Sequence, residues 1–406
     1  MKSISNVINS PPLDGESENI IRSKVRQKRK RKFFFSKPVQ SPVVIYDTTG
    51  SEFVGEALRE ITSFSTLEVR AKINLHYSIL FRFIALIFVR FFSQNGYWRR
   101  TSRGVMYDCA TLMTIKPKVV LTFIDNSNRF GLLSRVYQKA KFFAIQNGFR
   151  GPRVQDFPRI IYVTNLFCHG QETVDKYKEV GHKINQYFIV GSLKDGLYRA
   201  ENRVKQKKKF DICFISEYRH ERFLTSMPGA ALNARVILSY IERYSKTYGM
   251  NVCVAFSSKD NVVIEGISES CLEEQFIKEN IGMSKLSLIP NDGRFSTYKA
   301  IDESHVAINL QSTIGLEAFG RGCKVLFCNA TGDSYYDIPG IGKTGIWALR
   351  LGVDDYNLFE ARLKEIIACS DEEWQQKTSN VADYFVSSEE KVLPQDKIIE
   401  EVHKHL

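Results

Sequence analysis

The chain has 406 residues, more than one hydrophobic core usually organises, so two domains are expected. With 43% hydrophobic and 12% aromatic residues it can bury sizeable cores and is not a disordered protein. The formal net charge is +12, but most of it comes from the eight basic side chains of RSKVRQKRKRK (22–32), which has no acidic residue, so an extended groove for nucleic acid is not expected.

Residues 1–40 are polar, Pro-dotted and basic, and read as a disordered tail. Pro11, Pro12, Asp14 and Glu16 within the first twenty residues argue against a signal peptide. The basic run leads into Phe33–Phe35, so residues 22–35 either dock on an anionic membrane surface or remain a solvated tail.

A first domain is expected over 41–195. PVVIYDTT (42–49) reads as a strand, 53–62 as a helix, and 74–92 as an apolar segment. Within that segment, YSILFRFIALIFVRFF (77–92) is interrupted by Arg82 and Arg90 and falls short of the ~20 apolar residues of a spanning helix. It fits either an interfacial helix with snorkelling arginines or a buried crossover helix. KPKVVLTFIDN (116–126) is nearly all apolar until Asp125, as in a parallel strand covered on both faces. A helix (129–140), strands KFFAIQNG (141–148) and RIIYVTNLF (159–167), a helix (171–179) and YFIVGS (187–192) follow. Strands alternating with helices predict a doubly wound α/β sheet.

GLYRAENRVKQKKK (196–209) is charged, without an apolar run, and reads as a linker. A second domain is expected over 210–353, with FDICFIS (210–216), a long helix (229–248), MNVCVAFS (250–257), a helix (272–280), LSLIP (286–290) and HVAINLQSTIGLEAFGRGCKVLF (305–327). Residues 354–406 look helical, and SDEE (370–373) has capping-box spacing. The eight cysteines lack metal or disulfide spacing and suit a reducing, cytoplasmic setting.

Open parallel sheets bind ligands beyond the carboxyl ends of their strands, so the crevice between two such sheets is the expected site. Between the strands HVAINL and CKVLFC, Ser312 and Thr313 fall at a helix N-terminus whose free N–H groups suit a phosphate. Gly315 would let a ligand approach the backbone, and Glu317, one turn in, can accept hydrogen bonds from a ribose diol. An ordinary N-cap with a favourably placed Glu accounts for the same residues equally well. Ser216 and Arg219 follow the first strand of this domain and can hold phosphates or form an exposed turn. Ser257, Ser258 and Lys259 are a less specific phosphate contact. GIGKTG (340–345) lacks the spacing of a phosphate-binding P-loop and is rejected as one.

In the first domain, Asp125 and Asn126 end a strand. Asp125 is the first choice of general base for an acceptor hydroxyl, against an Asx-turn or N-cap role. Gln146, Asn147 and Gly148 end the next strand, as acceptor contacts or as a turn. His169, at the end of a third strand, is the second choice of base, against a structural role.

The segment AIDESHVAINLQSTIGLEAFGRGCKVLF resembles the donor-binding segment of GT-B-fold glycosyltransferases. VVLTFIDN (119–126), AIQNGFRG (144–151), NLFCHG (165–170), YFIVGS (187–192) and DICFISEYR (211–219) resemble, in order and spacing, bacterial surface carbohydrate biosynthesis proteins. That group is similar to CDP-glycerol glycerophosphotransferases and polysialic-acid-type transferases, and the likeness covers about residues 42–385. The resemblance implies two Rossmann-like domains facing across a cleft (GT-B-like), transfer from a nucleotide-activated donor, and no metal or other cofactor. No convincing D-x-D ends a strand. Two departures stand out. Asn147 fills a position where the glycerophosphotransferases often carry a His, and His169 stands where an aromatic residue often precedes the Gly.

The expectation is therefore a metal-independent glycosyltransferase that moves a sugar from a nucleotide-sugar donor to a bacterial surface glycan of O-antigen or capsule type. The acceptor would be a glycan or lipid-linked glycan, and the location cytoplasmic, or peripheral on the inner face of the membrane. A GT-B-fold sugar-nucleotide epimerase and a non-catalytic scaffold of glycan assembly are the competing readings.

Overall fold

Runs such as VVIY, VVLT and VCVA are apolar on both sides of the pleat, so they pair only where helices cover both faces. The computed structural model shows this twice. It describes residues 32–406 except 61, 70–71, 94–95, 151–159, 205, 222, 224–227, 283–284, 333–344, 353 and 390. The basic run up to residue 31 and residues 340–344 of GIGKTG thus lie outside the described residues.

In chain order, the first half comprises β1 (Lys32–Phe34), β2 (Val43–Tyr46), α1 (Ser51–Leu58), β3 (Phe64–Leu67), β4 (Lys72–Asn74), α2 (Tyr77–Phe92), α3 (Gly96–Arg100) and α4 (Arg103–Ile115). It continues with β5 (Val119–Thr122), α5 (Asn128–Val136), β6 (Lys141–Ile145), β7 (Tyr162–Cys168), α6 (Gln171–Val180), β8 (Lys183–Ile189) and α7 (Leu193–Glu201). Six strands form a parallel sheet in the order β3-β2-β5-β6-β7-β8. The chain reverses direction across this sheet between β2 and β5, and Asp125 lies just beyond β5.

The second half comprises β9 (Phe210–Ile215), α8 (Pro228–Tyr248), β10 (Val252–Ala255), the short β11 (Val263–Ile264) and β12 (Ile267–Ser268), α9 (Glu269–Asn280), β13 (Leu286–Ile289) and α10 (Ser296–Asp302). Next come β14 (Ser304–Asn309), α11 (Thr313–Gly320), β15 (Val325–Asn329), β16 (Ala348–Arg350), α12 (Tyr356–Ala368), α13 (Asp371–Phe385) and α14 (Pro394–His403). Its parallel sheet has the order β13-β10-β9-β14-β15-β16, with the direction of winding reversing between β9 and β14. Two Rossmann-like halves facing each other, followed by helices, make the expected GT-B-like architecture.

Three departures from expectation are local. Residues 32–34 of the expected tail are a strand paired with β4. The expected linker begins as the second half of α7, with Leu197 and Tyr198 buried, because the apolar positions of that helix straddle Gly196. The final helices are also not a separate unit. α13, with Ser370 and Glu373 in the predicted capping box, crosses back to the first half, and Ile398 and Val402 of α14 complete that half's core.

Candidate active site

The two sheets turn their carboxyl ends toward each other, and α11 starts in between. Asn309, fully buried at the end of β14, shapes the turn before this helix. Its side chain accepts from the Ser312 N–H at 3.1 Å and donates to the Ser312 carbonyl at 3.1 Å. Glu217, after β9, accepts from the Gln311 N–H at 2.5 Å and ties the neighbouring strand ends together. The Ser312 side chain makes no capping bond to the first turn of α11. The Thr313 hydroxyl instead faces the first half, where it accepts from the Phe149 N–H at 2.8 Å. The open side of Gly148 lies beside the same hydroxyl.

Two expectations for this helix need correction. A side chain at Gly315 would collide with Asn309, so the glycine serves close packing within the protein rather than the approach of a ligand. Glu317 is only 3% exposed and is committed to protein partners. Ser192 donates to one carboxylate oxygen, and Tyr298 donates to the other at 2.5 Å. Burial raises its pKa and the Asp195 charge adds to this, while the two hydroxyl donors pull it back. Glu317 therefore joins the halves and is not displayed to a ribose.

Ser216 is buried, and its oxygen accepts from the Tyr218 N–H at 3.3 Å, so it shapes its loop instead of presenting a hydroxyl to the cleft. Arg219 is exposed and donates to the Tyr218 carbonyl at 2.8 Å and to Ser257 Oγ at 2.9 Å. Glu273 pins the loop after β10 by accepting from the N–H groups of Ser257 (3.0 Å) and Ser258 (2.8 Å).

On the facing side the structure gathers Asp125, Gln146, Asn147 and His169, and adds Arg150 and Tyr177. Asp125 is fully buried and is not a free base. Arg150 pairs with it through Nη2 and donates from Nε at 3.3 Å, while the Tyr177 hydroxyl donates to it at 2.6 Å. Burial opposes the charge on Arg150, but the Asp125 carboxylate more than offsets this and holds the guanidinium above its ordinary pKa. Burial, reinforced by Asp125, pushes the Tyr177 hydroxyl well up. The Asn147 side chain accepts from Arg150 at 2.9 Å.

His169 is buried as well. Its backbone N–H donates to Gln146 Oε1 at 2.8 Å, and its Nε2 lies 3.2 Å from the Gln146 carbonyl, which can only accept, so the proton sits on Nε2. Burial pushes its pKa down to about 4, partly opposed by Asp125. This is a neutral histidine fixed in a network, not a base poised near neutrality. Asn126 stands exposed at the rim, outside the cluster.

Sequence reasoning missed Arg150, Tyr177, Lys194 and Asn309. Arg150 was legible as the one cation directly after the Gly148 turn. Lys194 follows the Ser192 cap of α7, lies over the rings of Phe53 (5.1 Å) and Phe123 (5.5 Å), and acts electrostatically on both His169 and Glu317. Burial hides Tyr177 and Asn309 from any pattern.

Three comparisons bear on this geometry. A family model described as "putative O-antigen biosynthesis protein" matches residues 143–388, which include the Asp125 partners Arg150 and Tyr177, His169 and the whole of α11. No curated protein matches the chain significantly. Among solved structures, it is similar to a UDP-GlcNAc 2-epimerase of Neisseria meningitidis bound to UDP-GlcNAc, at 14% identity and a TM-score of 0.51, over 89% of this chain and 99% of that one. It is also similar to MnaA of S. aureus in complex with UDP, at 14% identity and a TM-score of 0.53, over 91% and 96% of the two chains. A UDP-GlcNAc 2-epimerase of Methanocaldococcus jannaschii is similar at 12% identity and a TM-score of 0.51, over 92% and 100%. At these identities the likeness is one of fold.

Proposed function

The chain belongs to the family described as putative O-antigen biosynthesis proteins, and from that premise we propose that it is a glycosyltransferase, moving a sugar from a nucleotide donor to a surface-glycan acceptor at the inner face of the cytoplasmic membrane. The observation that carries this reading is the start of α11 at the reversal point between β9 and β14, opposed by the β6 loop at hydrogen-bond distance. The donor's phosphates lie against the first turn of α11 at the Thr313 N–H, since the Ser312 N–H is already held by Asn309, with Arg219 and Lys194 as nearby cations. This end of the helix offsets the negative charge that develops on the leaving nucleotide.

The acceptor enters over Asn126, Gln146 and Asn147. Arg150 follows Phe149, which touches Thr313, so donor phosphate competes with Asp125 for its guanidinium. Once Arg150 turns to the phosphate, Asp125 takes the proton of the acceptor hydroxyl as that oxygen attacks the anomeric carbon and the bond from sugar to phosphate breaks. His169 holds the loops in position. The donor set needs no metal ion.

The epimerase reading remains the competitor, favoured by neighbours whose structures contain UDP-GlcNAc or UDP. Incubating the protein with UDP-, GDP-, CDP-, CMP- and dTDP-sugars, with and without a lipid-linked acceptor extract, decides between them. Nucleotide release that depends on acceptor supports transfer. Isomerised donor without acceptor supports epimerisation, and no donor binding supports a scaffold.

A further inference from the structure

Helix α2 buries only Ile79 and Leu86 fully and leaves a broad apolar face uncovered. Tyr77, Phe81, Ile84, Phe88, Phe91 and Phe92 recur at helical spacing along it, with Phe81 75% and Phe92 83% exposed. A soluble surface rarely carries so much contiguous aromatic area. Strand β1 extends this face. It pairs with β4, which leads directly into α2, and the Leu75 N–H donates to the Phe34 carbonyl at 2.8 Å. A groove of about 890 Å³ lies between the two, lined by Phe33, Phe34 and Val39 on one side and by Leu80 and Phe83 of α2 on the other. Phe35 stands exposed beside it.

The charge pattern of the sequence singles out the same two stretches. From Val69 to Tyr107 the sequence holds seven Lys or Arg and no Asp or Glu, and from Asn19 to Tyr46 it holds nine and none. Together these sixteen positive charges exceed the net +12 of the chain, so the remainder is net acidic. Along the sequence, the cations are therefore concentrated in the two stretches that contain β1 and α2. Arg82 also folds back, its Nη1 donating to the Ser78 carbonyl at 2.9 Å, so its stem lies along the helix. Among the described residues no helix is long and apolar enough to cross a membrane.

We propose that α2 and β1 form a docking face that lies flat in an anionic lipid leaflet. The phenylalanines enter the acyl boundary, and the surrounding lysines and arginines meet the lipid phosphates. This face is in the half that receives the acceptor, so it deepens the transfer reading by naming the partner surface. Its test needs neither donor nor acceptor, so the two ideas can fail separately.

The test is co-sedimentation of the full chain with phosphatidylcholine vesicles with and without phosphatidylglycerol. Binding is expected to the anionic vesicles and to weaken at high salt. The variant Phe88→Asp/Phe91→Asp/Phe92→Asp should bind them at least roughly tenfold more weakly, while its melting temperature stays near that of the parent because these side chains are exposed. Three results would overturn the proposal: failure of the parent chain to bind anionic vesicles, undiminished binding of the variant, or a dimer in sedimentation velocity that the variant abolishes, since a second copy would then cover the face.

Discussion

The hydroxyl of Thr313 accepts a hydrogen bond from the Phe149 N–H at 2.8 Å, and this contact joins α11 of the second half to the loop after β6 in the first. Thr313→Val keeps the shape and removes the acceptor, which leaves a partly buried amide unpaired. The expected cost is about 1 kcal/mol of stability. Because the bond closes the cleft over the proposed phosphate position, nucleotide-induced thermal stabilisation should also shrink. A variant that melts earlier but gains the full nucleotide shift would separate the contact from donor binding.

Glu317 gives a different signature from that of a ribose ligand. Glu317→Ala strands the hydroxyls of Ser192 and Tyr298 in a buried site, so it should lower stability by roughly 2–3 kcal/mol in denaturant titration, before any ligand is added. Glu317→Gln should cost much less, since burial already favours the neutral form of this side chain. Equal stability of parent and Ala variant would refute the structural role.

The sheets, most helices, the capping box at Ser370 and the start of α11 were legible in the sequence, because each is written in apolar periodicity or cap chemistry. β3 was not: Phe64–Leu67 is an edge strand of mixed polarity that depends on its pairing with β2. The candidate site was legible by position but not by state. Asp125, His169 and Ser216 lie at the facing strand ends, and Glu317 lies in the helix that starts between them. Their availability depends on Arg150, Tyr177, Gln146, Tyr218, Ser192 and Tyr298, five of which are brought to them by tertiary packing from elsewhere in the chain; only the Ser216 partner Tyr218 is a sequence neighbour. A periodicity marks where a side chain emerges and says nothing of what meets it.

Arg150 and Asp125 should separate in steady-state kinetics. Arg150→Met removes the proposed phosphate contact and leaves Asp125 buried without its cation, so it should raise the donor KM, lower kcat and destabilise the fold by about 3 kcal/mol. Asp125→Asn keeps hydrogen-bonding capacity toward Tyr177 but releases Arg150 to the donor phosphate, so it should lose kcat while the donor KM falls. If the Asn variant turned over normally, the base would lie elsewhere.

His169 predicts an acid-labile cleft. Its folded pKa of about 4 lies below the ordinary 6.5, so the unfolded chain binds the proton more readily between those values. The sign follows: the contribution of neutral His169 is intact above pH 6.5 and is lost as pH falls toward 4, by roughly 3 kcal/mol at pH 4. Carboxylates titrate in the same window, so the informative quantity is the difference between the parent and His169→Gln, which has no proton to gain. Chemical denaturation at pH 7, 6, 5 and 4 should show the stability gap shifting steadily in favour of the variant as pH falls. A gap that stays constant with pH would mean that His169 titrates near its ordinary value, and that the network with Gln146 does not hold it neutral.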